Sequence, residues 1–188
     1  MSFLYISFIS LLSYFLAKVL LSNAKQNIVG LLIALSIVVA FNVAAARFTL
    51  IAIHISITNF SIVILLITMI ETILLERHIA KIKKGEVNQN NKSVEREYSE
   101  IFNLIGFGLI FIGMAIVSGL LIGSDLTLEL MLKILFTIFA LMIYSLIYLG
   151  IKFANLKVRY AVRGSILSFL MMLLAYFGNS ILLIRHIT

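Results

Sequence analysis

The sequence predicts an all-α protein: a polytopic transmembrane helix bundle of about six spans, with both termini outside the cytoplasm. Three observations predict it. The 188 residues are 62% hydrophobic and 12% charged, with a mean hydropathy of +1.15, whereas a soluble domain is about 45–50% apolar and about 25% charged. Six apolar runs come close to or exceed the ~20 residues that a helix needs to cross the hydrocarbon core. The basic residues alternate between connections in a way that only this number of crossings keeps in order. Continuous apolar runs, rather than short alternating segments, exclude a β-barrel. The composition also excludes a disordered chain, a coiled coil and a soluble enzyme core.

The first run, Ser2–Leu21, lacks the basic start of a signal peptide and is too long for its apolar core. Asn23-Ala24-Lys25 offers no small-x-small cleavage site, so the run is expected to be a retained span. The second, Ile28–Ala46, carries Ala40 and Ala44 four residues apart, a spacing that lets helices approach closely. The third is Thr49–Leu75. The polar connection 76–99 follows, with Glu86-Val87-Asn88-Gln89-Asn90-Asn91 as a loop at its middle and a charged helical extension of the third span to about Lys84 at its start. The fourth run, Ile101–Ile122, holds Gly106, Gly113, Ala115 and Gly119, the last two again in small-xxx-small spacing. The fifth is Leu128–Ile151 and the sixth Val162–Ile184. No proline interrupts any of them. The whole chain, 1–188, reads as one integral membrane domain.

Twelve of the fifteen Lys and Arg residues fall in the connections after the first, third and fifth runs, and three (Arg47, Lys133, Arg185) on the other side. The positive-inside rule makes the first set cytoplasmic, including the loop 76–99. The formal charge of +7 is therefore read as topology and as affinity for membrane lipid, not as a nucleic-acid surface. Cysteine is absent, which excludes disulfides, thiolate metal sites and a cysteine nucleophile. No Ser/His/Asp set, HExxH helix or phosphate-binding glycine loop is present, so the chain is not expected to be an enzyme.

The polar residues inside the runs are few. Asn42, Ser56, Thr58, Asn59, Ser61, Asn103, Ser118 and Asn179 suit interhelical hydrogen bonds. Thr58 and Ser61 share the helical face of His54, and Asn59 lies about 140° away from it. This stripe fits either a ligand groove or packing. Glu71 is placed near the cytoplasmic interface, where a carboxylate can be hydrated, and Glu129–Lys133 is an i,i+4 pair. His78 lies ~36 Å along the helix from His54 and is expected to be solvated. His186, two residues from the C-terminus, is expected to fray.

Several blocks resemble the cytochrome c assembly family of haem-handling membrane proteins (CcsA- and CcmC-type), and within it the HemX/YpjD-like branch. His54-Ile55-Ser56-Ile57 with Phe60-Ser61 is similar to that branch's His-opened span, which ends in a charged loop as Leu74-Leu75-Glu76-Arg77 does here. Glu95-Arg96 leading to Ser118-Gly119-Leu120 looks like its Glu-Arg, apolar, Ser/Thr-Gly-Leu span, and Lys133-Ile134-Leu135 like its next opening. Leu174-Ala175-Tyr176-Phe177-Gly178 resembles its C-terminal block almost letter for letter. The likeness runs from about Thr49 to the end. It lacks the tryptophan-rich outer loop of the haem exporters, since the chain has no tryptophan, and it lacks their second histidine, where Met131-Leu132-Lys133 stands instead.

The resemblance implies a haem-binding, haem-handling protein of the bacterial cytoplasmic (inner) membrane that assists cytochrome c assembly or haem metabolism, alongside membrane-protein partners of that assembly. It implies haem as cofactor and His54 as the ligand to its iron; beside that, Met131 is a candidate opposite ligand, and Arg47, Lys133 or Arg185 a candidate partner of the propionates. Two alternatives stand beside it: a non-catalytic accessory membrane subunit that kept the fold and lost haem, and a small-solute transporter.

Overall fold

The computed structural model describes residues 9, 12–16, 30, 32–40, 50–85, 94–122 and 128–187, with side chains in the last helix as far as Tyr176. All of its regular structure is helical. Residues 12–16 and 32–40 are helical, and four long helices follow: α1 (Leu50–Lys83), α2 (Val94–Leu121), α3 (Leu128–Ala154) and α4 (Val158–Ile187). Each of the four contains a stretch long and apolar enough to cross a membrane. The protein is thus a helical membrane protein with at least four such helices among its described residues.

The helices outrun the apolar runs that predict them. α1 has 34 residues, or ~51 Å at ~1.5 Å per residue, against a hydrocarbon core of ~30 Å. Its excess is the charged extension through Lys83 expected from the sequence. α2 starts at Val94, seven residues before the apolar run, because Glu95 and Glu97 in its first turn face the positive end of the helix dipole. α3 ends through Asn155, whose φ of 46° turns the chain left-handed. Leu156 N–H then reaches back to Gly150 O at 3.0 Å, so α4 begins after three residues.

The chain divides into two compact units. The first comprises Met1–Ile64 and Ile110–Asp125. In it Gly30 accommodates the ring of Tyr14, which would stand 2.9 Å from a β-carbon there, and Phe60 meets Phe111 edge to face at 4.6 Å between centroids. Tyr14, Val38, Ile64 and Ile112 are fully buried. The second unit comprises Leu65–Leu109 and Leu126–Thr188. Here α3 and α4 form an antiparallel pair, and Gly164 is the point of closest approach: a β-carbon would lie 2.7 Å from Ile147 Cδ1 and 2.9 Å from its Cγ1. Phe102 of α2 stacks on Tyr148 of α3 at 4.5 Å with 16° between planes.

A hydrophobic effect between helices is absent in lipid, so fit at such points carries the packing. Gly164→Val should lower the thermal stability of the purified protein by about 1–3 kcal/mol through overpacking, read as a drop in melting temperature. Gly113→Ala, with open space around its added methyl, should leave melting unchanged or slightly raised.

Candidate functional site

His54 is the fifth residue of α1 and is half-buried in the first unit. Its ring reaches α2, where Nδ1 stands 2.9 Å from Ser118 Oγ. Ser118 in turn donates to the carbonyl of Ala115 at 3.1 Å. A hydroxyl has one proton. When that proton goes to Ala115, Ser118 Oγ accepts and His54 Nδ1–H donates; when it goes to Nδ1, Ser118 donates. In the first arrangement a neutral ring carries its lone pair on Nε2, which has no hydrogen-bond partner among the described residues. This is the tautomer a neutral imidazole needs to act as a ligand through Nε2.

Gly119 makes the arrangement possible. A β-carbon at this position would lie 3.1 Å from His54 Cε1, closer than an ordinary contact. The Ala115/Gly119 spacing expected from the sequence is therefore used, with Ala115 buried and the bare backbone at 119 admitting the ring.

The polar stripe around His54 turns inward on its own helix. Thr58 donates to His54 O at 2.7 Å, Ser56 to Ala52 O at 2.8 Å and Ser61 to Ile57 O at 2.8 Å. Each hydroxyl satisfies itself one turn back, the common solution where no water is present. The expected interhelical bonds of Ser56, Thr58 and Ser61 are thus replaced by bonds within α1. Asn59 is 2% exposed and its Oδ1 has no hydrogen-bond partner.

Met131 and Lys133 belong to α3 in the second unit. Met131 is 54% exposed and Lys133 half-buried. Arg47 and the side chains of Glu129, Arg185 and His186 lie outside the described residues. Among the described residues no three His, Cys, Asp or Glu side chains converge on a metal position. A bare ion would need such a cluster. Haem brings four nitrogen ligands of its own, so one imidazole with a free lone pair fits what it requires.

The second unit holds a buried polar layer that the sequence reading passed over. Thr72 Oγ1 and Ser165 Oγ stand 3.1 Å apart, and Ser168 donates to Ala140 O at 3.0 Å. Tyr144 is fully buried with its hydroxyl beside Thr68, and that hydroxyl has no well-formed hydrogen bond. Glu71 was expected to be hydrated but is 8% exposed. Thr68, Glu71, Thr72 and Leu75 share one helical face at i, i+3, i+4 and i+7, and α1 turns that face inward. The hydroxyl spacings 68/72 and 165/168 were the signal available in the sequence.

Past Leu75 the polar ends of the second unit are tied together. His78 Nδ1 lies 2.8 Å from Glu97 Oε2, which corrects the expectation that His78 is merely solvated: the extension of α1 and the early start of α2 bring the two side by side. Arg159 Nε is 3.8 Å from Glu76 Oε1, and Arg96 pairs with Glu100 at 3.2 Å. Tyr98 donates to Leu156 O at 3.2 Å, and partial burial pushes its phenol pKa up, which keeps the donor proton in place.

No family model, curated protein or solved structure matches the chain.

The pairing predicts a measurable tautomer. In ¹⁵N-histidine spectra His54 should show a protonated Nδ1 and an unprotonated Nε2, and Ser118→Ala should redistribute the two. The same substitution should cost about 0.6–1.7 kcal/mol of stability, the range for an interhelical hydrogen bond in a membrane.

Proposed function

We propose that this protein holds haem in the membrane through His54 and serves haem delivery, or the regulation of haem metabolism, within cytochrome c assembly. One observation carries the reading: His54 Nδ1 lies 2.9 Å from Ser118 Oγ, an oxygen able to accept from Nδ1–H and so leave Nε2 for iron. The resemblance of the His54, Ser118-Gly119 and Leu174–Gly178 blocks to haem-handling membrane proteins supports it, and the first two blocks, 64 residues apart in sequence, meet in space. Bound haem would supply an iron whose electron density is tuned by the axial imidazole. The chain's part is to hold that imidazole neutral and oriented, with Ser118 accepting from Nδ1–H and Gly119 giving the ring room. Met131 and Lys133 lie in the other unit and Arg47 outside the described residues, so the proposal rests on His54. It includes six spans, both termini outside, and residence in the bacterial cytoplasmic membrane.

Protein purified in detergent from haem-replete cells should show a Soret band that shifts or disappears in His54→Ala, with a smaller shift in Ser118→Ala. Absence of a Soret band after haem titration would overturn the proposal. The native chain has no cysteine, so single cysteines report topology cleanly. At Asn90 or Lys157 they should react with a membrane-impermeant thiol reagent only from the cytoplasmic side, and at Asp125 only from the outer side.

A further inference from the structure

The turn between α3 and α4 collects cations that the rest of the unit does not neutralise. Lys152, Lys157, Arg159 and Arg163 are all exposed within twelve residues. No Asp or Glu occurs after Glu129 in the sequence. Arg159 leans on Glu76 at 3.8 Å, a long contact with both side chains open to solvent. Glu97 and Glu100, the other carboxylates with recorded ion pairs at this end, are taken up by His78 and Arg96. Lys152, Lys157 and Arg163 have no carboxylate partner among the described residues.

The same turn exposes aromatic surface. Phe153 is 73% exposed and Tyr160 55%, and Lys152 Nζ sits 5.3 Å from the centre of the Phe153 ring. The apolar runs end at Ile151 and resume at Val162. A polar break between two runs long enough to span places the turn where hydrocarbon gives way to headgroups, and exposed rings beside cations are the usual composition of that layer. The loop is also fixed before any ligand arrives. Asn155 is left-handed, Leu156 N–H bonds Gly150 O, and Leu156 O accepts from Tyr98. No acidic side chain stands in the first turn of α4 to compete for its exposed N–H groups.

We propose that this turn is a binding site for the phosphate headgroup of anionic phospholipids in the surrounding bilayer. Lys157 and Arg163 contact the phosphate, Lys152 and Arg159 flank it, and Phe153 and Tyr160 lie against the glycerol and upper acyl region. Charge complementarity selects anionic over zwitterionic lipid. The depth of the turn selects a lipid over a soluble anion, since the rings beside the cations gain nothing from free phosphate. The basic residues Lys81 and Lys83 at the end of α1, and Lys84 after it, are not part of the site.

The test is native mass spectrometry of the full-length protein in detergent, titrated with phosphatidylglycerol, phosphatidylcholine or inorganic phosphate. Phosphatidylglycerol should bind more tightly than phosphatidylcholine. Lys157→Gln and Arg163→Gln should each weaken it about fivefold, the equivalent of ~1 kcal/mol per cation near an anionic surface. Lys157→Arg should retain binding, and Lys83→Gln/Lys84→Gln should leave it unchanged. Equal affinity for the two lipids, equal losses at Lys83/Lys84, or displacement of lipid by millimolar inorganic phosphate would each overturn the proposal. If the double variant Lys157→Gln/Arg163→Gln fails to fold, the single variants decide.

Discussion

Every peptide N–H and C=O that crosses the hydrocarbon layer has to find its partner inside the protein, because the solvent there offers none. This constraint orders the rest of the structure. It makes each spanning segment a helix and sets a minimum length. It also governs the side chains: a hydroxyl in such a helix either bonds back to a carbonyl one turn earlier or reaches a neighbouring helix. Ser56, Thr58 and Ser61 take the first course. Thr72 and Ser165 stand within reach of both courses, a carbonyl of their own helix and each other, and their two protons serve two of those three contacts.

Against that background, His54 stands apart. An imidazole has two nitrogens with different needs, and its own helix can satisfy neither from this position. Ser118 meets one of them, Nδ1, at 2.9 Å. The arrangement depends on Gly119, where even one methyl would crowd the ring. A ligand-capable nitrogen is therefore produced by three ordinary packing choices on two helices.

The basic end of the second unit follows a different physics. Beyond the hydrocarbon layer water screens charges, and pairs such as Arg159–Glu76 contribute little. What remains is a field: cations concentrated on a short, rigid turn with exposed rings. The arrangement is matched to a planar, anionic surface more than to a compact soluble ligand. The two ends of α1 thus present different chemistry, a single imidazole near one end and a set of hydrogen-bonded and ionic contacts near the other.

The helical class, the apolar stretches and the charged continuation of α1 were legible in the sequence, because composition and run length alone decide whether a segment can sit in lipid. So was the candidate histidine, and so were the small residues of α2. Four features were not legible: that Ser118 is the partner of His54, that Gly119 receives its ring, that Glu71 is buried and that His78 meets Glu97. Each joins residues on different helices or depends on which face of a helix turns inward. In a helix that is apolar on nearly every side, periodicity does not mark the inward face. Only the packing of one helix against another chooses it, and with it the contacts that give these side chains their chemistry.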